Sequence, residues 1–311
     1  MKAIVIKKFG KPEELELSEI EKPVANDNQA LISVIAAGIN PVDAKIRSGL
    51  HSSCKAMQLP TVLGKDVSGI IEYVGRNVLD FKIGDEVFGC INGSYAEYVV
   101  ANPEVIAKKP ANISFHEAAA ISLAGLTAYQ AIHDHLAVKN GQRVLIQSAA
   151  GGVGHLAVQF AKLSGAFVYG TASAKNAAFL VELGVDEVIN YKEQKFEEIA
   201  TNLDAVMDTM GGEILYRAIN SVKPGGKIVC LPSSTKDDPI AIKLAKERNI
   251  ELIWPMMRPE KETLQLFSTL LKKGQLKVKV EKVFPLNEIA RAHEVIASHT
   301  VSGKIVVQVS D

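Results

Sequence analysis

The chain has 311 residues and a formal net charge of zero, because 35 basic side chains balance 35 acidic ones. A neutral chain lacks the positive field that draws proteins to nucleic acid or to anionic membranes, so neither is an expected partner. The hydrophobic fraction of 47% and the charged fraction of 23% are typical of a water-soluble globular protein, and the length favours two domains.

The apolar segments and the cysteines indicate the compartment. The apolar part of residues 1–8 is too short for a signal peptide, and no apolar run reaches the length of a membrane span. Cys54, Cys90 and Cys230 are scattered along the chain, which suits a reducing compartment and cannot form a disulfide framework. We therefore expect a cytoplasmic protein.

The N-terminal part of the chain, up to about residue 120, predicts an irregular, barrel-like β domain. Glycine and proline separate the strand candidates, which are 2–6, 29–37, 67–74, 86–88 and 96–100. Ser114 and Glu117 then have the capping-box spacing that begins a helix, and the residues that follow are rich in alanine.

A glycine turn between a predicted strand and a predicted helix is the most informative segment. The strand is 144–146, the helix is 155–163, and the turn contains Ala149-Ala150-Gly151-Gly152-Val153-Gly154. Alanine replaces the first glycine of the common fingerprint, yet the strand–turn–helix context indicates a site for a dinucleotide pyrophosphate. Gly151 would admit the phosphates and Gly154 would allow close helix packing, while the N–H groups at the helix start hold the negative charge. We predict that 150–154 bind the cofactor.

Strands and helices alternate from this turn onward. The strand candidates are 166–170, 186–190, 205–208, 227–231 and 250–253, which favours a parallel sheet built from βαβ units. The regular alternation ends in the C-terminal part of the chain, where strands are predicted at 277–283 and 303–309 around a helix from Leu286 to about Ser298. The parallel-sheet domain thus interrupts a β-rich domain.

The residues after the second strand of this sheet indicate which dinucleotide binds. A site for NAD usually has an acidic residue about 20 positions after the glycines, whereas this chain has Thr171-Ala172-Ser173-Ala174-Lys175 there. A hydroxyl and an ammonium accept a 2′-phosphate, so Ser173 and Lys175 predict NADP(H). The alternative is that Ser173 caps the next helix and Lys175 is a solvated surface charge.

Several strings resemble the medium-chain dehydrogenase/reductase superfamily, in particular its zeta-crystallin-like quinone oxidoreductases and enone (alkenal) reductases. They are Ala-Gly-Ile-Asn-Pro-Val-Asp-Ala-Lys at 37–45, Leu-Gly-Lys-Asp-Val-Ser-Gly at 63–69, Gly-Asp-Glu-Val-Phe-Gly at 84–89, Ala-Gly-Leu-Thr-Ala-Tyr at 124–129 and the glycine turn. The resemblance implies an α/β fold with a GroES-like catalytic domain, 1–123 and 257–311, and a doubly wound Rossmann domain, 124–256. It also implies a homodimer.

The chain departs from the zinc-dependent members of that superfamily. Those members have a cysteine near the position of Asn40, a histidine at the position of Lys65 and a four-cysteine structural lobe, and none of these is present. The seven histidines do not cluster, and His293 and His299 are assigned to the C-terminal helix. Asp66, a lone carboxylate beside a lysine, is interpreted as structural. We expect no metal site.

The resemblance assigns roles to residues of the predicted cleft. Asn40 is expected near the nicotinamide ribose, with capping of the turn into Pro41 as the alternative. Lys45 is the candidate donor to a developing oxyanion, because an ammonium can stabilise an enolate; the alternative is a surface lysine paired with Asp43. Many quinone reductases of the family have a tyrosine there, and its absence counts against quinone as the physiological substrate. Asn40 and Lys45 are the predicted catalytic residues, and Tyr95 is a further candidate donor.

Four more residues are expected to contact the cofactor. Thr127 would contact the nicotinamide half, and Tyr191 would stack on the adenine or touch the 2′-phosphate, with plain packing of the tyrosine as the alternative. Leu231 and Ser233 end a strand where the nicotinamide is expected and would offer backbone hydrogen bonds to its carboxamide.

The expected reaction is metal-free hydride transfer from NADPH to a quinone or to an α,β-unsaturated carbonyl. Reduction of an unsaturated carbonyl develops enolate charge, which requires donors at the oxygen and then a proton at the α-carbon. The alternative is a non-catalytic NADPH-binding structural or regulatory protein, because crystallins share the fold and a fold does not decide function.

Overall fold

The computed structural model describes residues 1–298 and 300–310, and the chain forms two compact units. Unit 1 comprises Met1–Leu126 and Pro259–Asp311, and unit 2 comprises Thr127–Arg258. The limits drawn from the sequence, 123/124 and 256/257, lie within a few residues of these. His299 lies outside the described residues. Among the described helices, none is long and apolar enough to cross a membrane.

The strands of both units are numbered here in chain order. They are β1 (Lys2–Ile6), β2 (Glu16–Glu19), β3 (Ala30–Ile39), β4 (Thr61–Val62), β5 (Asp66–Val74), β6 (Glu86–Cys90), β7 (Tyr98–Ala101), β8 (Ile106–Lys108), β9 (Arg143–Ile146), β10 (Phe167–Ala172), β11 (Glu187–Asn190), β12 (Leu203–Asp208), β13 (Val222–Cys230), β14 (Glu251–Ile253), β15 (Val280–Pro285) and β16 (Lys304–Gln308).

The α-helices are numbered in the same way. They are α1 (Pro41–Arg47), α2 (Phe115–Tyr129), α3 (Gly154–Leu163), α4 (Ala177–Glu182), α5 (Phe196–Ile199), α6 (Gly212–Ser221), α7 (Pro239–Glu247), α8 (Lys261–Lys272) and α9 (Ile289–Ala297). A π-helical turn, Gln130–His135, continues α2. The predicted capping box begins α2, since the Ser114 N–H donates to Glu117 Oε2 and the Glu117 N–H donates to Ser114 Oγ.

Unit 1 is built on two mainly antiparallel sheets. A small sheet has the order β2-β1-β4, and a larger one has the order β15-β16-β3-β5-β6-β8, with β7 also paired to β3. Strand β3 has ten residues and pairs with three strands, because β7 pairs with residues 30–33 and β16 with residues 36–39, while β5 pairs along residues 30–36. One core cluster includes Ile32 and Val67, and another includes Ile39, Tyr95 and Phe284.

Unit 2 is a parallel sheet with the order β11-β10-β9-β12-β13-β14. The chain runs outward from β9 to β11 and then returns to β12 on the other side of β9, which is the doubly wound order with its switch point between β9 and β12. Val144, Leu145 and Ile146 are fully buried, as expected for a central strand covered by helices on both faces. The predicted α/β class with a β-rich domain and a doubly wound domain is confirmed.

The boundaries of some strands differ from the prediction. The short strands β2, β4 and β8 were not predicted, because two to four residues are too few to show alternation. Strand β13 begins five residues before the predicted 227, at Val222. Pro224-Gly225-Gly226 indicated a turn, but the strand absorbs these residues as an irregularity between the Leu203/Val222 and Ala205/Lys227 pairs.

Candidate active site

The glycine turn of unit 2 connects β9 to α3 through a constrained backbone. Ser148 has a φ of 47°, a left-handed conformation that is uncommon for a residue with a side chain. A Cβ on Gly154 would overlap the Ser148 carbonyl oxygen and lie 2.9 Å from Ala149 Cα, so only glycine fits there. A Cβ on Gly151 would lie 3.2 Å from the same oxygen. The helix therefore packs closely on the turn, as the sequence predicted for Gly154.

The start of α3 presents backbone donors. Within the described part of the chain, no protein group accepts a hydrogen bond from the N–H groups of Gly152, Val153 or Gly154. The next N–H along, that of His155, is already bound to Gly151 O. Free N–H groups and the positive end of a ten-residue helix form an environment that suits an anion such as a pyrophosphate.

Strand β10 supports the turn and ends in polar residues. The Ser148 N–H donates to Thr171 Oγ1 (3.1 Å) and the Ala149 N–H to Thr171 O (2.9 Å). Ser173 occupies the N-cap position of a 3₁₀ turn, Ala174–Asn176, but its hydroxyl makes no capping bond. The alternative in which the Ser173 side chain serves as the cap is therefore not supported, and Lys175 is exposed.

Two further candidates of unit 2 follow β11 and β13. Tyr191 is 59% exposed, so plain packing does not account for its ring. Leu231 is half-buried, and its N–H already donates to Asp208 O (2.8 Å), which leaves only its carbonyl to bind a carboxamide. Ser233 is exposed and begins a 3₁₀ turn.

Most candidate cofactor residues lie at one edge of unit 2. The strands are parallel, so their carboxyl ends share an edge, and the glycine turn, Ser173, Tyr191 and Leu231 all follow directly after such ends. Thr127 is the exception, because it lies near the end of α2 and is half-buried. In open α/β sheets ligands bind outside this edge, at the switch point.

Asp208 is a residue of this edge that sequence reasoning missed. Its buried carboxylate accepts hydrogen bonds from the N–H groups of Met210 (3.1 Å) and Gly211 (2.9 Å) and from the Cys230 thiol (3.1 Å), and burial raises its pKa. It thereby shapes the turn after β12, where Gly211 has a φ of 72°. Burial and the nearby carboxylate raise the pKa of Cys230 to about 12, so this thiol is not a nucleophile.

In unit 1, Asn40 lies at the start of α1 inside a buried polar network. Its backbone N–H donates to Asp43 Oδ2 (2.8 Å), and its side-chain Nδ2 donates to Asp66 Oδ2 (2.8 Å). Lys304 Nζ donates to its Oδ1. Asn40 is 2% exposed and is the N-cap residue of α1, where it forms a capping box with Asp43, so the capping alternative is supported. The amide binds Asp66 and Lys304 in addition, and the catalytic role of Asn40 stays a prediction.

Asp66 connects several parts of unit 1. Its Oδ2 accepts hydrogen bonds from Asn40 and from Lys304 Nζ (3.1 Å), and its Oδ1 accepts the N–H of Leu123 in α2 (2.6 Å). The structural role assigned to Asp66 from the sequence agrees with these contacts. Lys304 was missed, although a lysine at the start of the apolar run Ile305-Val306-Val307 is an unusual residue that could have drawn attention.

Asp43 and Tyr95 extend the network on the other side of Asn40. The fully buried Tyr95 hydroxyl donates to Asp43 Oδ2 (3.1 Å). Burial raises the pKa of Asp43 to about 6 and raises that of Tyr95 well above its ordinary value. Because its only proton is engaged with Asp43 and its side chain is sealed from solvent, Tyr95 does not serve as the second donor that the sequence suggested.

Lys45 is half-buried on α1 and does not pair with Asp43. Asp43 Oδ2 instead accepts hydrogen bonds from the Asn40 N–H and the Tyr95 hydroxyl, so the pairing in the alternative is not found, and the catalytic role of Lys45 stays a prediction. Burial and the charges of Lys65 and Lys45 lower the pKa of His51. Lys45 and Lys65 are therefore both close enough to His51 to act on it electrostatically.

No metal-binding cluster occurs among residues 1–298 and 300–310. That part of the chain has no group of three or more His, Cys, Asp or Glu side chains arranged to hold an ion. Its cysteines, Cys54, Cys90 and Cys230, are free thiols.

Comparisons with known proteins give the family. Residues 26–111 match the model of the alcohol dehydrogenase GroES-like domain, and residues 183–307 match that of zinc-binding dehydrogenases. Human quinone oxidoreductase is 34% identical over 99% of this chain and 97% of its own length.

Solved structures agree with this similarity. The quinone oxidoreductase from Coxiella burnetii is 39% identical with a TM-score of 0.94, covering 100% of this chain and 99% of its own. The Escherichia coli quinone oxidoreductase complexed with NADPH is 30% identical with a TM-score of 0.89, covering 99% of this chain and 100% of its own. The chain therefore belongs to the quinone oxidoreductase family of the medium-chain dehydrogenase/reductase superfamily.

Proposed function

We propose that this protein is an NADPH-dependent, metal-independent oxidoreductase that reduces quinones or α,β-unsaturated carbonyls. The observation that carries the proposal is the glycine turn of unit 2, with unpaired N–H groups at the start of α3 and no carboxylate between the end of β10 and Glu182. Full-length similarity to a quinone oxidoreductase complexed with NADPH supports it.

The residues present fit NADP(H). Gly152, Val153 and Gly154 offer N–H donors to the pyrophosphate, and the Gly154 backbone leaves no space that a side chain could fill. Ser173 and the exposed Lys175 have hydrogen-bond donors for a 2′-phosphate, since neither is committed to a capping bond. A carboxylate at this position would repel that phosphate.

Further contacts to the cofactor are assigned by family resemblance. Tyr191 has an exposed ring for the adenine end. At the nicotinamide end, Thr127 and Asn40 bind the ribose side, while the Leu231 carbonyl and the Ser233 backbone receive the carboxamide. The assignment of Tyr191 uses an open ring face, and that of Leu231 uses its carbonyl, because its N–H is bound to Asp208 O.

The chain's own side chains supply electrostatics and position. Bound reduced nicotinamide supplies the hydride. Lys45 stabilises the negative charge that develops on the substrate oxygen, because its ammonium is a cationic donor and is only half-buried. Asn40 orients the ribose from a fixed amide. No step requires a metal ion.

The substrate class follows from position 45. Many quinone reductases of the family have a tyrosine there, whereas a lysine ammonium provides stronger stabilisation of an enolate. We therefore propose the α,β-unsaturated carbonyl as the better substrate and the quinone as the alternative. We further propose a cytoplasmic homodimer.

The test follows NADPH oxidation by absorbance with matched acceptors. The panel is 1,4-naphthoquinone, an alkyl vinyl ketone, a 2-alkenal and a saturated aldehyde as the control, each with NADPH and NADH and with a chelator. Turnover of the vinyl ketone with NADPH, unchanged by chelator, is the expected result. Turnover of naphthoquinone alone selects quinone reduction, loss of activity on chelation contradicts metal independence, and NADPH binding without any turnover favours the non-catalytic alternative.

A further inference from the structure

Lys304 is a charged residue in the interior of unit 1. Its side chain is 4% exposed and that of Asp66 is 0% exposed. The Lys304 ammonium donates to Asp66 Oδ2 (3.1 Å), to Ile39 O (3.2 Å) and to Asn40 Oδ1. Apolar residues of similar volume often replace a buried ion pair without loss of stability, so stability alone does not explain this pair.

The pair fixes the orientation of the Asn40 amide. An ammonium only donates hydrogen bonds, so the amide oxygen must face Lys304, and a carboxylate only accepts them, so the amide nitrogen must face Asp66. A flipped amide would place N–H against ammonium and oxygen against carboxylate. The contact with Asp66 uses one Nδ2 hydrogen, and the amide retains the other. A ribose hydroxyl can accept that remaining N–H.

The same carboxylate also holds the helix that carries Thr127. Asp66 Oδ1 accepts the N–H of Leu123, and Thr127 lies one helical turn further along α2. Packing here is tight, because a Cβ on Gly38 would lie 2.7 Å from Asp66 Oδ2 and 2.8 Å from Ala119 O. A shift of Asp66 would therefore move both Asn40 and α2.

We propose that Lys304 and Asp66 are positioning residues that lock the Asn40 amide in one orientation and so raise the affinity for NADP(H). The effect on affinity rests on the proposed function. Lys304 touches no cofactor in this scheme and acts only through Asn40, which distinguishes the proposal from a general contribution to folding.

The test is a double-mutant cycle read by calorimetric NADPH binding to the full chain. Lys304→Met is expected to raise the Kd for NADPH about tenfold in the parent protein and less than about twofold in an Asn40→Ala background. Lys109→Met is the matched control, because Lys109 is also 4% exposed and ion-paired in unit 1, to Glu86. It is expected to lower the melting temperature but not the affinity. If Lys304→Met does not fold, the double variant Lys304→Met with Asp66→Asn takes its place in the cycle, because that variant has no unpaired carboxylate.

Other results overturn the proposal. An unchanged Kd for Lys304→Met in the parent, or an equal increase in both backgrounds, shows that the pair does not act through Asn40. An increase with Lys109→Met as large as that with Lys304→Met shows a general loss of structure.

A second readout does not need the cofactor. The side-chain NH₂ signals of Asn40, identified by their loss in Asn40→Ala, are expected to exchange with solvent at least about tenfold faster in Lys304→Met and at the parent rate in Lys109→Met. Unchanged exchange in Lys304→Met overturns the positioning role. Absence of NADPH binding in the parent protein refutes the proposed function, and the exchange rates then still decide whether Lys304 locks the amide.

Discussion

Lys304 Nζ and Asp66 Oδ2 lie 3.1 Å apart in a region closed to solvent, although 238 residues of chain separate them. The contact joins the last strand of unit 1 to the strand β5 and, through Asp66, to α2. A charge in such a place depends on its partner, because neither ion could be hydrated if the other were removed.

Lys304→Met is expected to lower the free energy of unfolding by about 3–5 kcal/mol, since it leaves a buried carboxylate without its counter-ion. Lys304→Met combined with Asp66→Asn removes that charge and is expected to recover a large part of the loss. Urea denaturation of the parent and both variants measures the difference. Equal losses in the single and double variants would contradict the explanation.

Asp43 predicts a pH dependence of stability. Its pKa is raised from 3.8 to about 6, chiefly by burial, so the folded protein binds this proton more tightly than the unfolded chain. The stability that the protonated form contributes is present below pH 3.8 and is lost as the pH rises through about 6, by about 3 kcal/mol at most. Asp43→Asn keeps the acceptor for Asn40 and removes the titration. Its stability relative to the parent is therefore expected to increase from pH 4 to pH 6.

Urea denaturation at pH values across this window tests the sign. Glu197→Gln is the control of opposite sign, because hydrogen bonds from Arg217 lower the pKa of Glu197 and its contribution is lost as the pH falls. A relative stability of Asp43→Asn that stays constant over the window would show that Asp43 does not titrate there.

The glycine turn predicts different effects at Gly151 and Gly154. Gly154→Ala forces its Cβ into the Ser148 carbonyl and is expected to cost about 1–3 kcal/mol of stability together with NADPH affinity. Gly151→Ala places its Cβ 3.2 Å from the Ser148 carbonyl oxygen. The free energy of unfolding is therefore expected to fall less than the free energy of NADPH binding. Thermal melts and calorimetric binding separate the two effects. Wild-type NADPH affinity in both variants would show that the pyrophosphate does not bind at this turn.

Lys175 tests the choice between NADP(H) and NAD(H). Lys175→Ala removes one charge that would pair with the 2′-phosphate, so affinity for NADPH is expected to fall about tenfold while affinity for NADH stays unchanged. Stability is expected to stay within about 0.5 kcal/mol, because the side chain is exposed. Lys246→Ala, an exposed lysine on α7, is the matched control. An equal effect on both nucleotides would place Lys175 elsewhere in the site.

Lys45 tests the oxyanion role. Lys45→Ala is expected to lower kcat for the vinyl ketone about 100-fold, the usual cost of losing one oxyanion donor, with less effect on naphthoquinone. Steady-state kinetics with both acceptors measures this, and Lys55→Ala, an exposed lysine of the neighbouring 3₁₀ turn, is the control. A loss confined to KM would indicate substrate binding rather than stabilisation of charge.

Features that depend on neighbours in sequence were predictable. The glycine turn, the capping box at Ser114 and the alternation of parallel strands with helices follow from spacing, because a turn, a cap and a βαβ unit are each made within a short stretch of chain. The residues after β10 and β11 were also identified, since parallel strands end at one edge whatever their side chains are.

The partners of buried polar groups were not predictable. The position of Tyr95 near a glycine turn suggests a second donor, but folding buries its hydroxyl against Asp43, which lies 52 residues away. Lys45 was weighed as a partner of Asp43 because the two are close in sequence, and the carboxylate instead binds Tyr95 and the Asn40 backbone. The role of Asp208 is not predictable from the sequence, because no neighbouring residue pattern distinguishes a single acidic residue at the end of a strand.

The sequence by itself determined the α/β class, the doubly wound nucleotide domain and the family, since these rest on local patterns and on matching strings along the chain. Only the tertiary structure decided that Lys304 reaches Asp66 and Asn40, and that Asp43 is occupied by Tyr95. Such pairs form between residues brought together by the packing of distant strands. The desolvation of a buried charge is offset only when that packing places its partner beside it.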